Sequence, residues 1–169
     1  MLREMTVSGL TIDPFTNSPI MILKDVDSDK AVPIWIGLLE ATAIASELED
    51  IKFSRPMTHD LLKNIMDLMD ASVTKVEVCD LRDNTYFALI YLLRDGREVS
   101  IDARPSDAIA IALRSGAPIY VDEKVIEKSG MPDSPDSDDA EVVDESEEGQ
   151  KWADYLKNLS PDDFGKYKV

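Results

Sequence analysis

The chain has 169 residues, 44% of them apolar, and 18 Lys and Arg against 34 Asp and Glu for a net charge of −16; that is enough chain for one domain with a real core, and too acidic for broad, sequence-independent adhesion to nucleic acid, which needs a basic face. A single cysteine, Cys79, excludes an intramolecular disulfide and fits a reducing compartment. The start MLREMTVSGL lacks the charged-then-apolar pattern of a signal peptide, and no apolar stretch approaches the roughly 20 residues of a membrane helix, so a cytoplasmic protein with no membrane contact is expected.

In chain order, REMTVSGLTI (3–12) and SPIMILKD (18–25) read as strands, with Pro14, Asn17 and Pro19 marking the turn between them. KAVPIWIG (30–37) is a third strand, stopped by Gly37, with Trp35 expected in the core or at an interface. LLEATAIASELED (38–50) reads helical, with Leu38, Ala41, Ile44, Ala45 and Leu48 on one face. THDLLKNIMDLMD (58–70) is a second helix, striped by Leu61, Leu62, Ile65, Leu68 and Met69; Met57, Met66 and Met69 suit core filling. Three strands follow, VTKVEVCDL (73–81), TYFALIYLL (85–93) and REVSIDA (97–103), joined by tight turns at Asp83-Asn84 and Asp95-Gly96. The long FALIYLL run implies either a strand covered on both faces or an uncovered patch that favours a homodimer. A helix after Ser106, a short strand APIYV (117–121) and DEKVIEKSG (122–130) close the body near Glu127.

The order β-β-β-α-α-β-β-β-α-β-α is not the regular alternation of a doubly wound fold. It predicts an α+β domain over residues 1–127, a mixed, mostly antiparallel sheet with helices packed on it. Within 1–127 there are 13 basic and 22 acidic residues, a net of −9. Residues 128–150 carry one Lys and nine acids with almost nothing to bury, the composition of a disordered acidic linker. Residues 151–169 regain Trp152, Tyr155, Leu156 and Leu159 at near-helical spacing, and Ser160-Pro161-Asp162-Asp163 looks like the start of a further turn. This short helical tail reads as a docking segment for the chain itself or for a protein partner.

The phrase Arg-Pro-polar-Asp occurs twice at the mouth of an apolar helix, in RPMTHDLL (55–62) and in ARPSDAIAIAL (103–113). Proline holds Arg55 and Arg104 extended, just outside each helix. Thr58 and Ser106 are suitable N-caps, and Asp60 and Asp107 fall in the first turn, where negative charge suits the helix dipole. Capping, with an Arg-to-Asp pair across each entrance, accounts for both phrases without any function. The same atoms also make a phosphate pocket: free helix N–H groups and an arginine fork. Asp102 and Asp107, with Glu40 from the neighbouring helix, could then supply carboxylates to a hard divalent cation such as Mg²⁺. His59 could move a proton near neutral pH, although a histidine in a first turn is also an ordinary surface residue and Glu40 an ordinary first-turn acid. Cys79 in its strand pattern reads as packing. With no Gly-rich phosphate loop, CxxC, HExxH or GxSxG, the dinucleotide, zinc-protease and serine-hydrolase classes drop out.

Read together, VPIWIGLLEATAIASEL (32–48), RPMTHDLL (55–62), DLRDNTYFALI (80–90) and IDARPSDAIAIALRSGAPIYV (101–121) resemble the bifunctional nuclease family, over about residues 3–127 in unbroken order. YLKNLSPDDF (155–164) is also similar to the tail after the acidic spacer of its bacterial members, whereas the extra C-terminal module of some plant relatives has no counterpart here. The resemblance implies a small α+β homodimer that cleaves both DNA and RNA. It brings no settled catalytic set; the positions that match its motifs are Glu40, Arg55, Thr58, His59, Asp60, Asp102, Arg104, Ser106 and Asp107. The expectation is that both Arg-Pro entrances bracket one phosphodiester, with Arg55, Arg104, Thr58 and Ser106 on the phosphate, Asp102, Asp107 and Glu40 on the cation and His59 as proton carrier. The alternative is a non-catalytic protein that binds a protein partner or a small phosphorylated ligand.

Overall fold

Apolar alternation broken by turn residues builds the sheet in the order expected. The computed structural model describes residues 1–129. The elements are β1 (Leu2–Ile12), β2 (Pro19–Asp25), β3 (Ala31–Trp35), α1 (Leu38–Leu48), α2 (Thr58–Leu68), β4 (Ser72–Arg82), β5 (Thr85–Arg94), β6 (Arg97–Ala103), α3 (Pro105–Ser115), β7 (Ile119–Asp122) and α4 (Glu123–Ser129). The seven strands form one sheet in the order β3-β2-β1-β7-β4-β5-β6, antiparallel throughout except for the parallel β4–β7 pair. The fold is α+β, as the element order predicts. Asp83, Asn84, Asp95 and Gly96 all have positive φ, the conformation that two-residue hairpin turns need to match strand twist. The body runs two residues past Glu127, to the end of α4; the linker and tail assigned to 130–150 and 151–169 lie outside the described residues.

The sheet curls. The Tyr86 hydroxyl on β5 donates to the Pro33 carbonyl on β3 at 2.8 Å, although four strands separate them in the sheet order. α4 packs against β3, β4 and β7, with Val125 fully buried, and so closes the open end of the curl. β5 meets neither expectation for FALIYLL in its simple form. Ala88, Ile90 and Leu92 are buried under the helices, while Phe87, Leu89 and Tyr91 on the outer face are half-buried. That outer face is roofed by long charged side chains, Lys75 over the Tyr91 ring and Arg82 over the Phe87 ring, 4.2 and 5.1 Å from their centres, whose aliphatic stems shield the apolar surface.

α3 is the central helix: Ala108 to Ala112 are all buried, because the sheet lies on one side and α1 and α2 on the other, and alanines allow close approach. Gly116 ends it with φ of 62°, the left-handed cap that glycine adopts without strain. α1 buries Ala41, Ile44 and Ala45, but its predicted flanks Leu38 and Leu48 are exposed. α2 differs more. Its stripe of Leu61, Leu62, Ile65, Leu68 and Met69 is 41–85% exposed and only Met66 is buried, because α2 rests on α3 at the edge of the layer and faces no strand. Trp35 is likewise half-exposed rather than in the core; it stands on the edge strand β3 and donates through Nε1 to Asp13.

Two caps also differ from expectation. Pro105 takes the first helical position of α3, where no N–H is needed, so Arg104 is the N-cap and Ser106 sits inside the helix, buried. The Asp60 carboxylate accepts the Met57 N–H at 2.9 Å, half of a capping box, so α2 is capped at Met57 and Thr58 is its first helical residue, exposed.

Candidate functional site

Three helices meet where the two Arg-Pro phrases fold together. The His59 Nε2 in the first turn of α2 lies 2.9 Å from Asp107 Oδ1 in the first turn of α3. Asp107 Oδ2 accepts the Arg104 Nε–H at 2.7 Å, and Arg104 Nη1 pairs with Glu40 Oε1 of α1 at 2.8 Å. The result is a continuous chain, Glu40–Arg104–Asp107–His59, with His59 13% and Arg104 66% exposed. Burial pushes the Asp107 carboxyl up, but its bonds to Arg104 and His59 outweigh that and hold it below the usual carboxylate range. The same contacts raise the Arg104 guanidinium further. Asp107 is therefore an ionised acceptor at neutral pH, and the proton on the His59–Asp107 contact belongs to Nε2.

Gly37 makes the Glu40 contact possible. A Cβ there would collide with the Glu40 carboxylate, which folds back over the α1 N-terminus. Gly37→Ala should therefore swing Glu40 away and free Arg104 from one of its two acids without unfolding α1, since Gly37 has an ordinary extended φ of −77°. A structure of the variant would show Arg104 paired with Asp107 alone.

The other arginine of the pair lies elsewhere. Asp60, one residue beyond His59, turns to the opposite side of α2 and binds not Arg55 but Arg114, from the last turn of α3, at 2.7 Å. The Arg114 side chain is 5% exposed and also donates to the carbonyls of Ala110 and Ala43, both at 3.0 Å, so one guanidinium ties α1, α2 and α3 together. Burial pushes Asp60 up, and Arg114 with the Met57 N–H holds it below its usual range. Arg55 is exposed and lines a cleft of about 200 Å³ with Ser46, Lys52, Asp60, Asn64 and Arg114. Arg104, Asp107 and His59 are not among its walls. The two phrases converge, but the first contributes its histidine to the shared cluster and its arginine to a cleft on the other side.

Asp102 is exposed on the edge strand β6, and among the described residues no hydrogen bond or ion pair ties it to the cluster. Glu40 and Asp107 both bind the Arg104 guanidinium, which stands between them where a cation would sit. Among the described residues no three His, Cys, Asp or Glu side chains are grouped to hold a metal ion, so the donors proposed for a divalent cation do not form a preformed site. Cys79 is half-buried, donates to the Phe87 carbonyl, and has its thiol pushed up by burial, which suits packing rather than nucleophilic work. Sequence reading missed Arg114, whose only signal was a cation in the last turn of a helix, and Gly37, whose role depends on a side chain three residues away.

Among the described residues no helix is long and apolar enough to cross a membrane. The chain matches the family model described as "Bifunctional nuclease domain" over residues 21–134. It is similar to an uncharacterized protein of Mycobacterium tuberculosis, 39% identical over 96% of this chain and 98% of that one. It is also similar to Bifunctional nuclease 1 of Arabidopsis thaliana, 31% identical over 73% of this chain and 39% of the relative, and to Bifunctional nuclease 2 of the same plant, 30% identical over 68% and 36%. The chain thus spans under two fifths of those plant proteins. The family match covers α1, α2 and α3 and every residue of the Glu40–Arg104–Asp107–His59 cluster, and the chain belongs to the bifunctional nuclease domain family.

Proposed function

We propose that this protein hydrolyses phosphodiester bonds of DNA and RNA at the crossing of α1, α2 and α3. The observation that carries the reading is the 2.9 Å contact between His59 Nε2 and Asp107 Oδ1, beside the exposed guanidinium of Arg104. Asp107 holds the proton on Nε2 and leaves Nδ1 as the basic nitrogen, able to take a proton from an attacking water. Arg104 offers the fork that a phosphate oxygen prefers. The names of the plant relatives supply the substrate class. Glu40 competes with the phosphate for Arg104, so substrate binding exchanges one acid for another at the same guanidinium. Because the carboxylates do not form a cation site, no metal step is part of this mechanism. Arg55 and Lys52 in the neighbouring cleft would meet a flanking phosphate of the same strand.

The test is cleavage of single-stranded and duplex substrates, with Mg²⁺ and with EDTA, by the parent and an identically purified Arg104→Ala variant. Loss of a phosphate-binding arginine should cut the rate by about 10²–10³-fold; an unchanged rate would assign the cleavage to a contaminant or another site. A non-catalytic role as an interaction protein is the second reading. It is favoured by two carboxylates already shared by Arg104 and by the net −9 of residues 1–127. Under it neither protein cleaves, and a thermal shift with nucleotides alone would mark a small phosphorylated ligand.

A further inference from the structure

The exposed stripe of α2 is the largest apolar feature that neither the core nor the cluster uses. Leu61, Leu62, Ile65, Leu68 and Met69 occupy an arc of about 120° on the helix, each 41–85% exposed. Apolar side chains gathered like this mark a docking surface. We propose that its occupant is the chain's own C-terminal segment, residues 151–160, which lays Trp152, Tyr155, Leu156 and Leu159 against α2 as a short helix.

Three observations select this occupant over a second copy of the body. The spacing of 152, 155, 156 and 159 is the i, i+3, i+4, i+7 pattern of one helix face. Its span of about 10 Å matches the roughly 12 Å between Leu61 and Met69 on α2. Charge is the second. Residues 1–127 carry a net −9 and residues 128–150 a net −8, while residues 151–169 carry +1, so two bodies repel where the tail does not. Lys151 and Lys157 flank the tail stripe, and Asp67 and Asp70 lie beside the stripe of α2. Reach is the third. The 22 residues between Ser129 and Trp152 span about 25 Å even as an unstructured chain, against a radius of gyration of about 14 Å for a body of this size. The match to the Mycobacterium tuberculosis relative also runs over 96% of this chain, and therefore takes in most of the tail.

The experiment uses the full chain. In a Trp35→Phe background Trp152 is the sole tryptophan, and its emission should be blue-shifted and move to that of the isolated 151–160 peptide when Ile65→Asp is added. Ile65 is 44% exposed, so that change leaves the core intact, which circular dichroism checks. In a Cys79→Ser background, mild oxidation of Ile65→Cys with Leu156→Cys should give an intrachain disulfide. A tethered segment sees an effective concentration on the order of mM, so at about 10 µM protein the intrachain product should exceed the interchain one roughly a hundredfold. A Val26→Cys/Leu156→Cys control, away from α2, should give at least about tenfold less. Equal yields from the two pairs, a product mainly between chains, or Trp152 emission matching the free peptide and unmoved by Ile65→Asp would each overturn the proposal.

Discussion

Asp107→Asn should lower strand cleavage by about 10³–10⁴-fold, the scale of forcing a catalytic histidine into the wrong tautomer. Asp107 uses both oxygens as acceptors, Oδ2 for the Arg104 Nε–H and Oδ1 for His59 Nε2. Asparagine keeps the shape but has one acceptor oxygen. Arg104 cannot become an acceptor, so the asparagine oxygen must stay with it and the amide N–H₂ turns to His59. Nε2 then has to accept, the ring proton moves to Nδ1, and the nitrogen that should take a proton from water already holds one. The fold should survive, because the site is partly exposed: about 1 kcal/mol of charge-assisted bonding is lost, a fall of about 4 °C in Tm. Turnover measured beside a thermal melt separates the effects. Cleavage at the parent rate with a normal melt would remove Asp107 from the chemistry.

How much of this could be read beforehand follows the range of the forces involved. Strands, helices and the type of each turn depend on neighbours in sequence, so alternation and the Asp-Gly and Asp-Asn pairs place them well. The helix starts were each misplaced by a residue or more, for local reasons weighed wrongly. Pro105 is a better first helical residue than Ser106 is a cap, and the Asp60 carboxylate makes Met57 a sufficient cap without any side-chain oxygen. The stripe on α2 was legible as a stripe but not as an exposed one, because periodicity shows which residues share a face and not what lies opposite. Convergence of the two phrases was anticipated, and His59 with Asp107 meets it. Arg55 does not, since residues 59 and 60 on a helix diverge by about 100°, and Asp60 faces a partner 54 residues away that no local pattern reveals.

That partner sets the second large effect. Arg114→Met should destabilise the body by about 3 kcal/mol, lowering Tm by about 10 °C. Methionine fills much of the arginine's volume, so the loss is polar. The Ala43 and Ala110 carbonyls lose a donor each, and Asp60 keeps a charge with its counter-ion gone. The cost falls at the low end of that for a broken buried pair because the Asp60 side chain is 31% exposed and water reaches it. Adding Asp60→Asn should recover about 1 kcal/mol, since the asparagine oxygen still accepts the Met57 N–H and no uncompensated carboxylate remains. Arg114→Lys should recover less than half, because one ammonium cannot spread its donors in the fork that spans three helices. Cleavage should fall with Arg114→Met as well: α2 carries His59, and a helix released from its brace no longer holds that ring 2.9 Å from Asp107. A melt of Arg114→Met that coincides with the parent's would mean that the three helices are held by their apolar contacts alone, and that Arg114 is not the brace the geometry makes it.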